Sequence, residues 1–260
     1  MATKQSFGVK IKSTFGGNSE TLRYSIDMER LAKKQKGNFV WHIHKYNFFV
    51  GEAEKTGNPV YDLARACAEL CSPISIVVEG DFQIIDILNH QEVVKRFSAG
   101  LETLHREYDG SFAIDYVQNT FDSLKNKQKL IHSLSNDIWL ALFFAPFLKR
   151  GLNISHMMEW NIPIFGITQP FVGNAKYSAK DKGTKSLTHF EGSINEKNKN
   201  AAQTLITGRA LIDYSIDHEK KQVRCISCNA EVQLNSGIGI ISIMGISNNI
   251  NERANALIFV

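Results

Sequence analysis

PISIVVEGDFQIIDILNHQEVVKRF, residues 73–97, decides how the chain is read. Ile74, Ile76 and Val78 alternate with Ser75, Val77 and Glu79. Beyond Gly80-Asp81, Phe82, Ile84, Asp86 and Leu88 alternate with Gln83, Ile85 and Ile87. Period 2 with β-branched side chains predicts two strands. The Gly-Asp pair supplies the positive φ angles that a tight hairpin turn requires. Asn89 then offers a side-chain oxygen to an orphan N–H, and Glu92 stands three residues on, a capping-box start. Val93, Val94, Phe97, Leu101, Leu104 and Tyr108 follow at helical spacing. A hairpin therefore runs straight into an amphipathic helix.

Upstream, Phe7–Phe15 and Thr21–Met28 read as strands joined at Gly16-Gly17-Asn18, and Phe39–Val50 as a long aromatic strand. Lys33–Lys36 reads as a charged tip closed by Gly37. Asn58-Pro59 starts a helix with cap and proline in their favoured order. Its apolar face carries Val60, Leu63, Ala64, Cys67, Leu70 and Cys71. Downstream, residues 90–149 read as helical in three pieces, broken at Asp109-Gly110-Ser111, with Pro146 unable to continue the last. Strands return from residue 157. Met157–Ile164 and Ile167–Val172 are punctuated by Pro163, Gly166 and Pro170; Ala175–Lys185 reads as a polar loop; Leu187–Ile194 reads as a strand. Ala210–Ile216 and Gln222–Val232 form a hairpin, and Gly237–Ile246 is a very apolar strand or strand pair. The expected organisation is one domain, 1–260, with strands in 7–50, a helix 59–71, the hairpin 73–88, helices in 90–149 and strands in 157–246. Segregated strands and helices imply an α+β fold with a mainly antiparallel sheet packed around a central block of helices.

With 43% hydrophobic and 22% charged residues, the 260-residue chain can bury a sizeable core. The net charge of +4 comes from mixed signs, with no Lys/Arg block interleaved with aromatics, so no nucleic-acid partner is expected. Ile138–Leu148 is the most apolar run and is shorter than the roughly 20 residues a spanning helix needs, so no integral membrane segment is expected. MATKQSFGVKIKSTF holds no apolar leader region, and four cysteines suit a reducing compartment; both point to the cytoplasm.

Chemistry-bearing patterns are few. His42 and His44 share one face of a strand, about 7 Å apart between Cα atoms, a spacing that lets two imidazoles share a cation. The pair resembles the first histidines of a cupin, without that pattern's following Glu or second motif. The plainer reading is two polar residues on the solvent face of a strand whose other face carries Trp41 and Ile43. Cys225-Ile226-Ser227-Cys228 lies in a strand-like run that points its thiols to opposite faces, and Cys67 and Cys71 lie on an apolar helix face. Phosphate loop, nucleophile elbow and zinc-protease motif are all missing, so no catalytic residue and no cofactor is expected. Trp139, Phe143, Phe144 and Phe147 surround the apolar run almost completely. Such a helix is core, or the wall of a hydrophobic pocket.

ALIDYSIDHEKKQVRCISCNAEV, residues 210–232, turns a Tyr-x-Ile-Asp strand through charged residues, and VVEGDFQIIDI leads into a helix. In this, and in the order of its elements, the chain resembles the bacterial lipoprotein-carrier half-barrel family. The resemblance implies a curved antiparallel sheet around helices with an apolar cleft. The function expected is a non-enzymatic bacterial binding protein taking a hydrophobic small molecule or a protein partner segment. The expected lining is Trp41, Phe49, Trp139, Phe143, Phe144 and Phe147. Two alternatives stand beside it: a structural or adaptor component of a larger bacterial assembly, and a metal-dependent enzyme built on His42 and His44.

Overall fold

The computed structural model describes residues 3–35, 38–51, 58–79, 83–145, 156–165, 167–180, 185–194, 205–220, 222–234 and 237–248. Among them are eleven strands and five helices, and every strand pairing with a register is antiparallel. The fold is α+β with a mainly antiparallel open sheet, the class expected. Numbered along the chain, the strands lie in the order β5-β4-β3-β2-β1-β11-β10-β9-β8-β7-β6. The chain forms two compact units: Met1–Ser6 with Leu22–Ser135, and Phe7–Thr21 with Asn136–Val260. Strands β1 (Thr3–Phe15) and β2 (Asn18–Gln35) contribute to both.

The first unit adds β3 (Asn38–Val50), α1 (Pro59–Cys71), β4 (Ile74–Val78), β5 (Ile84–Ile87), α2 (His90–Glu107), α3 (Ser111–Lys125) and α4 (Lys127–Ser135). Ile26, Met28, Ile43, Ile74, Ile76 and Val78 alternate onto one buried sheet face. Helix α1 starts as Asn-Pro predicts, with Asn58 Oδ1 accepting from Val60 N at 3.0 Å.

The 73–88 hairpin forms, with Ile76 opposite Ile87 and Val77 opposite Asp86. Its last backbone bond runs from Glu79 N to Gln83 O, 2.8 Å, bracketing residues 80–82, which lie outside the described residues with the Gly-Asp turn and Phe82. Asn89 departs from expectation. It stands at the N-cap of α2 but makes no side-chain cap bond. Its Oδ1 accepts from Ser75 N at 2.7 Å and its Nδ2 donates to Pro73 O at 3.2 Å. The amide is drawn away from the helix because the start of β4 needs both a donor and an acceptor. Arg96, two turns into α2, completes the knot: Nε donates to Leu70 O at 2.7 Å and an amino group to Pro73 O at 2.9 Å. Leu70 is in the last turn of α1, where carbonyls lack intrahelical partners, so Arg96 ties the end of α1 to the start of β4.

The helical region also differs from the three expected pieces. It holds four helices in this unit's α2–α4 and the second unit's α5, because residues 127–143 are interrupted. Asp137 takes a cap position and accepts from Leu140 N at 3.0 Å, which starts a new helix at Ile138. Pro146 and Phe147 lie outside the described residues.

The second unit adds α5 (Ile138–Phe143), β6 (His156–Ile164), β7 (Ile167–Lys180), β8 (Lys185–Ile194), β9 (Leu205–Asp217), β10 (Gln222–Leu234) and β11 (Gly237–Ser247). The expected loop at Ala175–Lys185 is instead strand as far as Lys180, paired with β8 from Phe171↔Ile194 to Lys180↔Lys185. Ala175 turns in and is buried, while Asn174 and Lys176 turn out, so a polar composition coexists with a strand. Pro163 sits in β6, the edge strand, and Pro170 just beyond the pairing with β8, positions where a missing N–H breaks no ladder.

Replacing Arg96 with alanine should lower the first unit's stability by about 1.5–3 kcal/mol, the range for hydrogen bonds made by a charged group. Arg96→Lys should fall between. Urea unfolding monitored by circular dichroism measures both.

Candidate ligand-binding site

Helix α5 carries most of the aromatic residues singled out from sequence. Trp139, Leu140, Leu142, Phe143 and Phe144 are all buried. The rings form a chain of edge-to-face contacts. Phe7 of β1 meets Trp139 at 5.3 Å and Phe143 at 5.7 Å, and Phe143 meets Phe144 at 5.2 Å. Such pairs contribute about 0.5–1.5 kcal/mol each beyond their buried area. The buried Tyr214 hydroxyl of β9 donates to Leu142 O at 2.7 Å, meeting one of the carbonyls that a helix end leaves free. Burial pushes this phenol well above its ordinary pKa, so it stays a donor. Helix α5 also packs on β6.

These contacts fix the shape of the second unit. From β1 to β6 the sheet crosses six strand intervals, roughly 29 Å if it were flat. A six-residue helix is about 9 Å long. It touches β1, β9, β11 and β6 together only if the sheet curls around it. Trp160 of β6 confirms the curl, its ring 5.3 Å from Phe190 on β8 and 6.5 Å from Tyr214 on β9. At the β6–β7 turn Phe165 reaches back across the unit, 6.1 Å from the Phe15 ring of β1 and against Gly239 of β11. The edge hairpin thus meets strands from the unit's far side.

Two glycines of β11 make the curl possible. A methyl group built on Gly245 would run into Trp139 Cη2 and Cζ3, and one on Gly239 into the Phe165 ring. Gly239, Ile241, Ile243 and Gly245 share the inner parity of β11 and are buried, while Ile238, Ile240 and Met244 turn outward. Composition alone marks Gly237–Ile246 as a very apolar strand or strand pair. The available signal was that its glycines all fall on one parity, which marks a face approached closely by other groups.

Trp139, Phe143 and Phe144 are therefore gathered in the second unit, and Phe147 lies outside the described residues. Trp41 and Phe49 belong to β3 in the first unit. Trp41 is half-buried opposite Ile76, and the Phe49 ring lies under the Arg23 guanidinium at 5.7 Å.

His42 and His44 do share a face of β3, opposite Glu29 and Asp27 of β2. His42 Nδ1 lies 3.0 Å from Ser75 Oγ, and the His44 ring stands 5.0 Å from Tyr46. Asp27 is engaged by Lys4 at 2.8 Å and by the Tyr46 hydroxyl at 3.2 Å. Partial burial works to raise its carboxyl, but hydrogen bonds from Lys4 and Ser6 and the Lys4 charge outweigh it and hold the group below its ordinary 3.8. Among the described residues no three His, Cys, Asp or Glu side chains are gathered to hold a metal ion.

All four cysteines are free thiols. Burial raises Cys67 to about 11 and Cys71 to about 12, the latter helped by its neighbour Cys67. Burial alone raises Cys228 to about 12, on the inner face opposite Ile212 and Ile243, and burial with the Asp213 charge raises Cys225. None is poised as a nucleophile.

In fold the chain resembles lipovitellin, solved in a study of lipid–protein interactions in lipovitellin. The TM-score is 0.51 at 11% identity, over 95% of this chain and 25% of that one. The chain spans about a quarter of the lipovitellin chain it matches. No protein-family model matches the sequence. No curated protein matches it either. Among the described residues no helix is long and apolar enough to cross a membrane.

Gly245→Ala should destabilise the protein by about 1–3 kcal/mol, the usual cost of overpacking. In a Trp139→Leu background the same change should cost distinctly less, because the clash partner is gone; a double-mutant cycle in urea reads the coupling. Cys67, Cys71 and Cys228 should resist iodoacetamide at pH 8 in the native protein and react on unfolding, as mass spectrometry of alkylated peptides will show.

Proposed function

We propose that the chain is a binding protein, not an enzyme, and that it takes an apolar, lipid-like molecule or an apolar segment of a partner. The ligand is held on the inner face of the second unit's sheet, beside Trp139, Phe143 and Phe144 of α5. One observation carries this reading: a curled antiparallel sheet turns an apolar face inward around a short aromatic helix. Phe171, Phe190, Ile212, Ile226, Val232, Ile241 and Ile243 are all buried there by strand alternation. Concave apolar sites with few polar groups are the common form of small-molecule sites. The fold likeness to lipovitellin supports the same reading, as does the resemblance of the sequence pattern to the half-barrel carriers. Cys228 on that inner face is kept a neutral thiol by burial, in keeping with an apolar site.

Trp139 and Trp160 stand in the second unit and Trp41 in the first, so tryptophan emission reports on the site. Titration with diphenylhexatriene, an uncharged fluorescent hydrocarbon, should give saturable energy transfer from tryptophan. Native mass spectrometry of protein purified from its host should show an added mass. Linear, unsaturable transfer together with a ligand-free spectrum would overturn the proposal.

A further inference from the structure

One polar atom in this site is left over. The Nε1–H of Trp139 is fully buried and has no hydrogen-bond partner. Among the described residues it is the second unit's one buried side-chain polar atom in that condition. A buried donor without an acceptor is costly, and native proteins rarely leave one so. The other polar groups on the same part of the inner face are already used. Tyr214 gives its hydroxyl to Leu142 O, and Ser186 Oγ pairs with His218 Nε2 at 2.8 Å.

The position of this donor is informative. Trp139 lies on Gly245, which is level with Val9 on β1, Ile226 on β10, Tyr214 on β9 and Thr188 on β8. One pleat further come Phe7 and Ser247. In the other direction the levels run through Ile243, Cys228, Ile212 and Phe190, then Ile241, Ala230, Ala210 and Gly192. Hydroxyl-bearing side chains thus collect at the Trp139 end, and on β8 to β11 the further levels are apolar, with Ser13 of β1 opposite Ile241. No charged side chain stands at the Trp139 level.

Resting on the apolar-ligand reading above, we propose that the ligand is a long apolar chain ending in an uncharged carbonyl acceptor, as in an acyl ester, and that Trp139 Nε1–H donates to that carbonyl. An indole N–H is a neutral donor. It satisfies a neutral carbonyl but gives no counter-charge to a carboxylate, whose burial without a cation is strongly unfavourable. The chain then lies along the apolar levels towards Phe165.

Displacement of diphenylhexatriene tests this with three probes of equal chain length: methyl oleate, oleate at pH 8 and 1-octadecene. The ester should displace the dye at about one-tenth the concentration that the hydrocarbon needs, the effect of one hydrogen bond. It should also outcompete oleate. Trp139→Phe should bring the ester-to-hydrocarbon ratio close to one. Equal displacement by ester and hydrocarbon, stronger binding of oleate than of ester, or a ratio unchanged in Trp139→Phe would each overturn the inference. Should that variant fail to fold, ¹⁵N-labelled wild-type protein decides. The Trp139 indole N–H resonance must move downfield with the ester and not with the hydrocarbon; equal shifts count against it. Failure of the dye itself to bind would instead overturn the apolar-site reading.

Discussion

A sheet that curls until its edge hairpin meets its own far strands must leave backbone bare where rings press inward. In the second unit that requirement falls on β11. Gly245 receives the Trp139 indole and Gly239 receives Phe165. The first seat sets how closely α5 approaches the sheet, and with it the contacts of Phe7, Phe143 and Tyr214. The second lets the β6–β7 turn close against β1 and β11. The inner face is apolar through alternation alone, as in any half-buried strand. What makes it concave is the pair of missing side chains.

The first unit is held by different means. Its sheet face is covered in the ordinary way by apolar residues, but the junction of α1, β4 and α2 is polar. Arg96 and Asn89 take up Leu70 O, Pro73 O and Ser75 N, groups that neither helix nor sheet can pair at a chain reversal. The opposite face, with Asp27, Glu29, His42 and His44, is a lattice of alternating acid and base across two strands. Its groups engage one another or Ser75, Lys4 and Tyr46. Ion pairs stand on outward positions of the second unit as well, Arg209 with Glu191 and His189 with Asp213, while its inner levels on β8 to β11 carry no charged side chain.

How much of this was legible in the sequence depended on whether the deciding partner was near in the chain. Asn58-Pro59 announced α1 because cap and helix are adjacent. The alternation of Ile74–Val78, Leu187–Ile194 and Gln222–Val232 announced strands because the sheet has one wet face. Asn89 misled because its partner Ser75 lies on another element and outcompeted the local helix N–H. The strand at Ala175–Lys180 was obscured because its outward residues are polar and its inward Ala175 is small. The aromatic run of α5 reads from sequence as core or pocket wall, but the three-piece pattern of 90–149 does not show that Asp137 caps a separate helix at Ile138. Nothing local could say that Trp139 needed a glycine at position 245. That relation exists only once β11 is beside β1.

That pairing carries a kinetic meaning. Phe7 to Phe15 lie against Ser247 to Gly239, so the first strand of the described chain is zipped to the last. Closing so long a loop costs entropy before any ladder bond repays it, and folds dominated by such distant pairings assemble slowly. On a ribosome β1 would wait, one edge unpaired, until Gly237–Ser247 had emerged. Gly8, Lys10 and Lys12 in that waiting strand then have a second use: glycine and lysine weaken the edge as a template for other chains until its own partner arrives.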